Sequence, residues 1–138
     1  MEESGRRAGE EWPNMWDDER MFFDRMPRML ALYEALRTAV DERCPGVEAR
    51  VGKTQISLYC RHMFAAVSLP WRRVKGWPEE YLLLTFGLSY RKDSPRIAVA
   101  TEPYPGRWTH HVLLTEPSQL DEELLGWVEE AYTFALTK

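Results

Sequence analysis

From Arg107 to Leu114 apolar and polar residues alternate as they do along a strand, and from Ser118 to Leu136 the spacing switches to that of an amphipathic helix. A chain that changes period so abruptly has to lay a helix against a sheet. The same reading extends back through the chain. Met26, Met29, Leu30, Tyr33, Leu36 and Val40 fall at helical spacing and are closed by Cys44-Pro45-Gly46. Period-two runs then follow over Val47 to Val51, Gln55 to Cys60, Phe64 to Leu69, Tyr81 to Tyr90, Arg96 to Glu102 and Trp108 to Leu114. The breaks between them carry turn residues and are too short for parallel crossovers, so each strand is expected to lie beside the next. The predicted fold is α+β: an antiparallel meander sheet of about six strands, with an N-terminal and a C-terminal helix packed on one face.

Alternation also assigns the two faces. Ile56, Leu58, Leu82, Leu84, Phe86, Leu88, Ile97, Val99, Val112 and Leu114 are expected to face the helices, while Gln55, Ser57, Tyr59, Tyr81, Leu83, Thr85, Arg96 and Glu102 share the other side. For the closing helix, Ser118 is the expected N-cap, with Asp121 three residues on and Leu120, Leu124, Val128, Ala131, Tyr132 and Ala135 as the buried stripe.

The net charge of −4 is not spread evenly. Residues 1 to 20 hold seven acids and three bases, which leaves 15 of each for residues 21 to 138. The chain therefore divides into an acidic, tryptophan-containing tail, 1–20, and a single neutral domain, 21–138. Trp12, Met15 and Trp16 are costly to leave wet, so that part of the tail is expected to dock on the body or on a partner. Cys44 and Cys60 have no metal-like spacing, and no basic start leads into an apolar run, which points to a reducing cytoplasm. No apolar stretch approaches the roughly 20 residues of a membrane helix, so no membrane partner is expected.

The segment order carries a resemblance. Leu32 to Leu36 (Leu-Tyr-Glu-Ala-Leu), Lys53-Thr54-Gln55-Ile56, Phe64-Ala65-Ala66-Val67, Thr109-His110-His111-Val112, Leu120-Asp121-Glu122-Glu123-Leu124 and Ala131-Tyr132 resemble the uncharacterised bacterial family known as domain of unknown function 5655. The likeness covers roughly residues 27 to 136. A fainter similarity of plan links the chain to double-wing domains of the YjbR type, some of which are suspected of binding DNA. Neither resemblance implies a reaction or a catalytic residue.

A meander places alternate turns at opposite ends of the sheet. The turns around Lys53, Trp71 to Glu80 and Pro103 to Arg107 would then share one end, converging Lys53, Arg72, Arg73, Lys75 and Arg107 with Trp71, Trp77, Tyr104 and Trp108, and His111 is counted with them as a candidate binding residue. Cations interleaved with flat rings suit an anionic, partly planar partner, with nucleic acid or a nucleotide the first candidates, through charge pairing and stacking. The bland alternative is a solvated rim whose cations are answered by Glu79, Glu80 and Glu102. His110 and His111 are adjacent on one strand and point to opposite faces, so they cannot share a metal, and no other ligand spacing suggests one. One of the two is expected to be a hydrogen-bonded structural histidine. No nucleophile elbow and no glycine-rich phosphate loop is present, and no cofactor is expected. Three classes of function follow: a small binding module for an anionic partner, a small enzyme with a histidine acid/base in a rim pocket, and a protein-interaction or homodimerisation domain using the open sheet face.

Overall fold

The structure, a computed structural model, describes residues 15–137. Trp12 lies outside the described residues, as does the Trp16 side chain, and with them the docking expected of that segment. Helix α1 spans Met15–Phe22, and α2 spans Arg28–Arg43. Helix α2 buries Met29, Leu32, Tyr33, Leu36 and Val40 along one stripe and stops where Cys44 turns to extended backbone, its N–H still bonded to the Val40 carbonyl. Helix α1 was not foreseen, because Asp17-Asp18-Glu19 reads as solvated charge. Glu19 is nevertheless buried.

Strands β1 (Glu48–Val51), β2 (Ile56–Tyr59), β3 (Met63–Ser68), β4 (Leu82–Leu88), β5 (Ile97–Tyr104) and β6 (Arg107–Leu114) form one antiparallel sheet. The α+β class and six strands agree with the sequence reading. The meander does not hold to its end, since the strand order is β1-β2-β3-β4-β6-β5. Pro103 supplies one physical reason. It has no N–H for a ladder, so β5 suits the edge, where one side needs no partner. β6 instead pairs β4 along its whole length, from Leu82↔Leu114 to Leu88↔Trp108. A second departure is local. A register shift between Ile97 and Val99 sets Val99 opposite His111, turning Val99 onto the open face instead of toward the helices.

Two rows of paired residues cross the sheet and show what each face does. Val51, Ile56, Val67, Leu84, Val112 and Ile97 lie side by side facing the helices, an aliphatic row through all six strands. The adjacent row, Arg50, Ser57, Ala66, Thr85, His111 and Val99, lies on the open face. Helix α3 (Glu122–Leu136) covers β3 and β4 with Leu124, Val128, Ala131 and Ala135. Its N-cap is Asp121, whose carboxylate accepts the Leu124 N–H at 3.0 Å, whereas Ser118 belongs to a preceding 3-10 turn, Pro117–Gln119.

The segment 89–96 has to pass over β6 to reach the sheet edge, and it is fastened on the way. His110 is fully buried, stacks on Phe86 with ring centroids 5.0 Å apart, and accepts the Lys92 backbone N–H at Nε2 (2.9 Å). Burial holds its pKa below the usual histidine value, so it stays neutral. This is the structural histidine expected of the pair. Lys92 Nζ reaches Glu130 on α3 at 2.9 Å, and Arg96 clasps Asp121 (2.9 Å), Glu123 (3.0 Å) and the Gln119 carbonyl (2.7 Å).

Candidate functional site

The swap of β5 and β6 decides which side chains meet. Lys53 follows Val51 at the end of the sheet where β3 also runs out into the loop 69–81. Tyr104 pairs with Arg107 at the opposite end, beyond Leu88 and at the same end as the turn that carries His62. The expected convergence of Lys53 and Arg107 is therefore corrected: they lie at opposite ends, because β5 runs in the same direction as β4 instead of returning beside it.

A smaller group does come together. The loop 69–81 folds over the open face, held by the Arg25 guanidinium donating to the Pro70 carbonyl (2.6 Å), by a turn from Trp77 N–H to the Val74 carbonyl (3.1 Å), and by Gly76 at φ +88°. Trp77 stands edge-on to the buried Tyr81 with centroids 5.7 Å apart. Between this loop and the strands is a cavity of about 450 Å³, lined by Trp71, Arg72, Trp77 and His111 together with Tyr81, Leu83 and Val99. Trp71 is 81% exposed, and the Arg72 guanidinium lies 5.1 Å from its ring centroid. Among the described residues Arg72 has no carboxylate partner.

The other expected site residues stand apart from it. Arg73 lines an adjoining cleft and is answered by Glu79 at 2.8 Å. Lys75 is exposed on the same loop but lines neither cavity. Lys53 belongs to a separate cleft beside α1, shared with Asp18, Asp24 and Arg25. Tyr104 is 58% exposed at the far end. Arg107 lies flat over Gly87, where an added Cβ would come within 2.8 Å of its Nε, so the glycine is what lets the guanidinium rest on the sheet.

On the floor of the groove, His111 Nδ1 and Thr85 Oγ1 are 2.9 Å apart, directly opposite in register. Burial lowers the His111 pKa, which keeps the imidazole neutral at pH 7. Burial raises the Tyr81 pKa, with the nearby Arg72 charge pulling the other way. The Thr85–His111 pair was not anticipated, since it depends on β6 lying beside β4. Alternation alone assigns Tyr81, Leu83 and Thr85 to this face. Among the described residues no group of three or more histidine, cysteine, aspartate or glutamate side chains is placed to hold a metal. No helix among them is long and apolar enough to cross a membrane.

The family model described as a domain of unknown function, DUF5655, matches residues 19–135. The chain belongs to the DUF5655 family. The match opens at Glu19, the buried acid of α1, and runs to the last buried residue of α3, Ala135, so the groove lies wholly inside the DUF5655 unit. No curated protein and no solved structure matches the chain, and the fainter likeness to YjbR-type domains is not shown.

Proposed function

We propose that this DUF5655 domain is a small binding module whose open-face groove takes an anionic ligand carrying a planar ring, with a nucleotide or the nucleotide unit of a nucleic acid as the first candidate. The observation that carries this reading is the exposed Trp71 with Arg72 beside it at the edge of the cavity, an arginine with no carboxylate partner among the described residues. A cation next to a flat apolar surface serves a phosphate and a base together. The cavity volume falls in the usual range for small-ligand sites, roughly 300 to 1,000 Å³. Both cysteines are free, which suits action in a reducing cytoplasm.

Titration with nucleoside monophosphates and a short single-stranded oligonucleotide at low salt, followed by tryptophan fluorescence, tests the proposal. Binding should quench the signal, and Arg72→Glu should weaken it by about tenfold to a hundredfold, the value of a hydrogen bond to a charged group. The salt response separates the two sources of the ligand. A single phosphate at Arg72 gives a shallow dependence, whereas a strand that neutralises several phosphates gives a steep one. Absence of any quenching by these anions at low salt would return the groove to ordinary surface.

A further inference from the structure

Resting on that groove reading, we infer that His111, positioned by Thr85, reads the edge of the ligand's ring, so that a nucleotide sits base-inward on the sheet with its phosphate at Arg72. The pair is built for reading and not for charge. Thr85 and His111 face each other across β4 and β6, and the Thr85 hydroxyl occupies Nδ1 at 2.9 Å. That contact fixes the ring's rotation, and the Thr85 hydroxyl can serve Nδ1 as donor or acceptor. Nε2 has no hydrogen-bond partner among the described residues, although His111 is half-buried and lines the cavity. A half-buried imidazole with one nitrogen satisfied and the other waiting is completed by a neutral donor or acceptor such as the edge of a nucleobase. The surfaces around it are flat or apolar, Trp77 on the loop and Leu83 and Val99 on the sheet, and among the described residues the exposed guanidinium of Arg72 is the cavity's one lining cation.

The same geometry argues for one nucleotide in place of a continuous strand. Arg73 is paired with Glu79, while Lys53 and Arg107 lie at opposite ends of the sheet, so among the described residues these cations form no track for successive phosphates beside Arg72. His111 is thus a specificity-determining residue and Thr85 a positioning residue.

The test compares nucleoside monophosphates with ribose 5-phosphate, which carries the anion without the ring, on the full chain. Wild-type protein should bind the nucleotides more tightly than ribose 5-phosphate. His111→Ala and Thr85→Val should each weaken nucleotide binding by about three- to tenfold, the value of one neutral hydrogen bond, and leave ribose 5-phosphate binding unchanged. Unchanged sugar-phosphate binding also reports that the variants fold, and Thr85→Ser should restore nucleotide affinity. Nucleotide affinity unaffected by both variants would overturn the inference. So would equal losses for nucleotide and ribose 5-phosphate, which would place His111 on the anion. Nucleotides that bind no more tightly than ribose 5-phosphate would leave only the anion part of the groove reading standing and remove the base-reading role. If neither ligand binds wild-type protein, the groove reading and this inference fall together.

Discussion

Leu124→Ala should lower the free energy of unfolding by about 2–5 kcal/mol, the usual penalty for truncating a fully buried leucine. Leu124 has no exposed surface and sits in the first turn of α3, where that helix meets β3 and β4. The turn is fixed from two sides, by Asp121 capping the Leu124 N–H and by Arg96 reaching across from the start of β5. Collapse into the vacated space is therefore restricted, which favours the upper part of the range. Urea or guanidinium denaturation measures it, and a loss no larger than about 0.5 kcal/mol would mean that other residues dock the helix.

The second large effect is expected at Glu19. Its Oε1 accepts the Tyr33 hydroxyl and lies 3.9 Å from Arg37 Nε, while Arg37 Nη1 also reaches Asp41 at 3.1 Å. Glu19, Tyr33 and Arg37 are all buried. Glu19→Ala takes away the acceptor of the buried Tyr33 hydroxyl and a carboxylate beside Arg37, which costs about 1–3 kcal/mol, the penalty for an unsatisfied buried polar group. The acid also gives stability a pH signature. Burial pushes the Glu19 pKa above the ordinary 4.5, with Tyr33 and Arg37 pulling it down less strongly. Because the folded state holds this proton more tightly than the unfolded chain, its contribution is complete below about pH 4.5 and is lost as pH rises through the folded value. Glu19→Gln keeps an oxygen for Tyr33 but cannot ionise. The melting temperature of the wild type relative to Glu19→Gln should fall as pH rises from 4 toward 8; a constant difference would show that Glu19 does not titrate there.

The sequence was most readable where one period dominated. The stripe Met29 to Val40 and the alternation Leu82 to Leu88 each specified a buried face without help from elsewhere. Lys53 and Arg107 failed for a different reason, since their separation is a property of strand order and not of any local pattern. A signal for that order was present in Pro103, a poor residue for the interior position that a meander would have required of β5. Glu19 was hidden because a carboxylate in an acidic run looks solvated until its partners, 14 and 18 positions away at Tyr33 and Arg37, are in place. Residue chemistry marks Trp71, Arg72, Trp77 and His111 as candidate binders, the first three by their loop position as well. Their grouping on the open face, and the Thr85 contact that orients His111, needed the pairing of β4 with β6.

That pairing also sets an order of events as the chain folds. The hairpin of β5 and β6 closes between Tyr104 and Arg107, almost neighbours in sequence. β4 meets β6 only through pairs as distant as Leu82 with Leu114, and the intervening chain includes all of β5. Loop-closure entropy has to be met before these contacts give anything back. The hairpin is expected to form first and then dock on β4 as a unit, with Lys92 engaging His110 only after docking. In a φ-value study, substitutions within the hairpin should slow folding, whereas a change at Glu130, the Lys92 partner, should act chiefly on the unfolding rate. The reverse pattern would mean that the crossover is laid down before the hairpin closes.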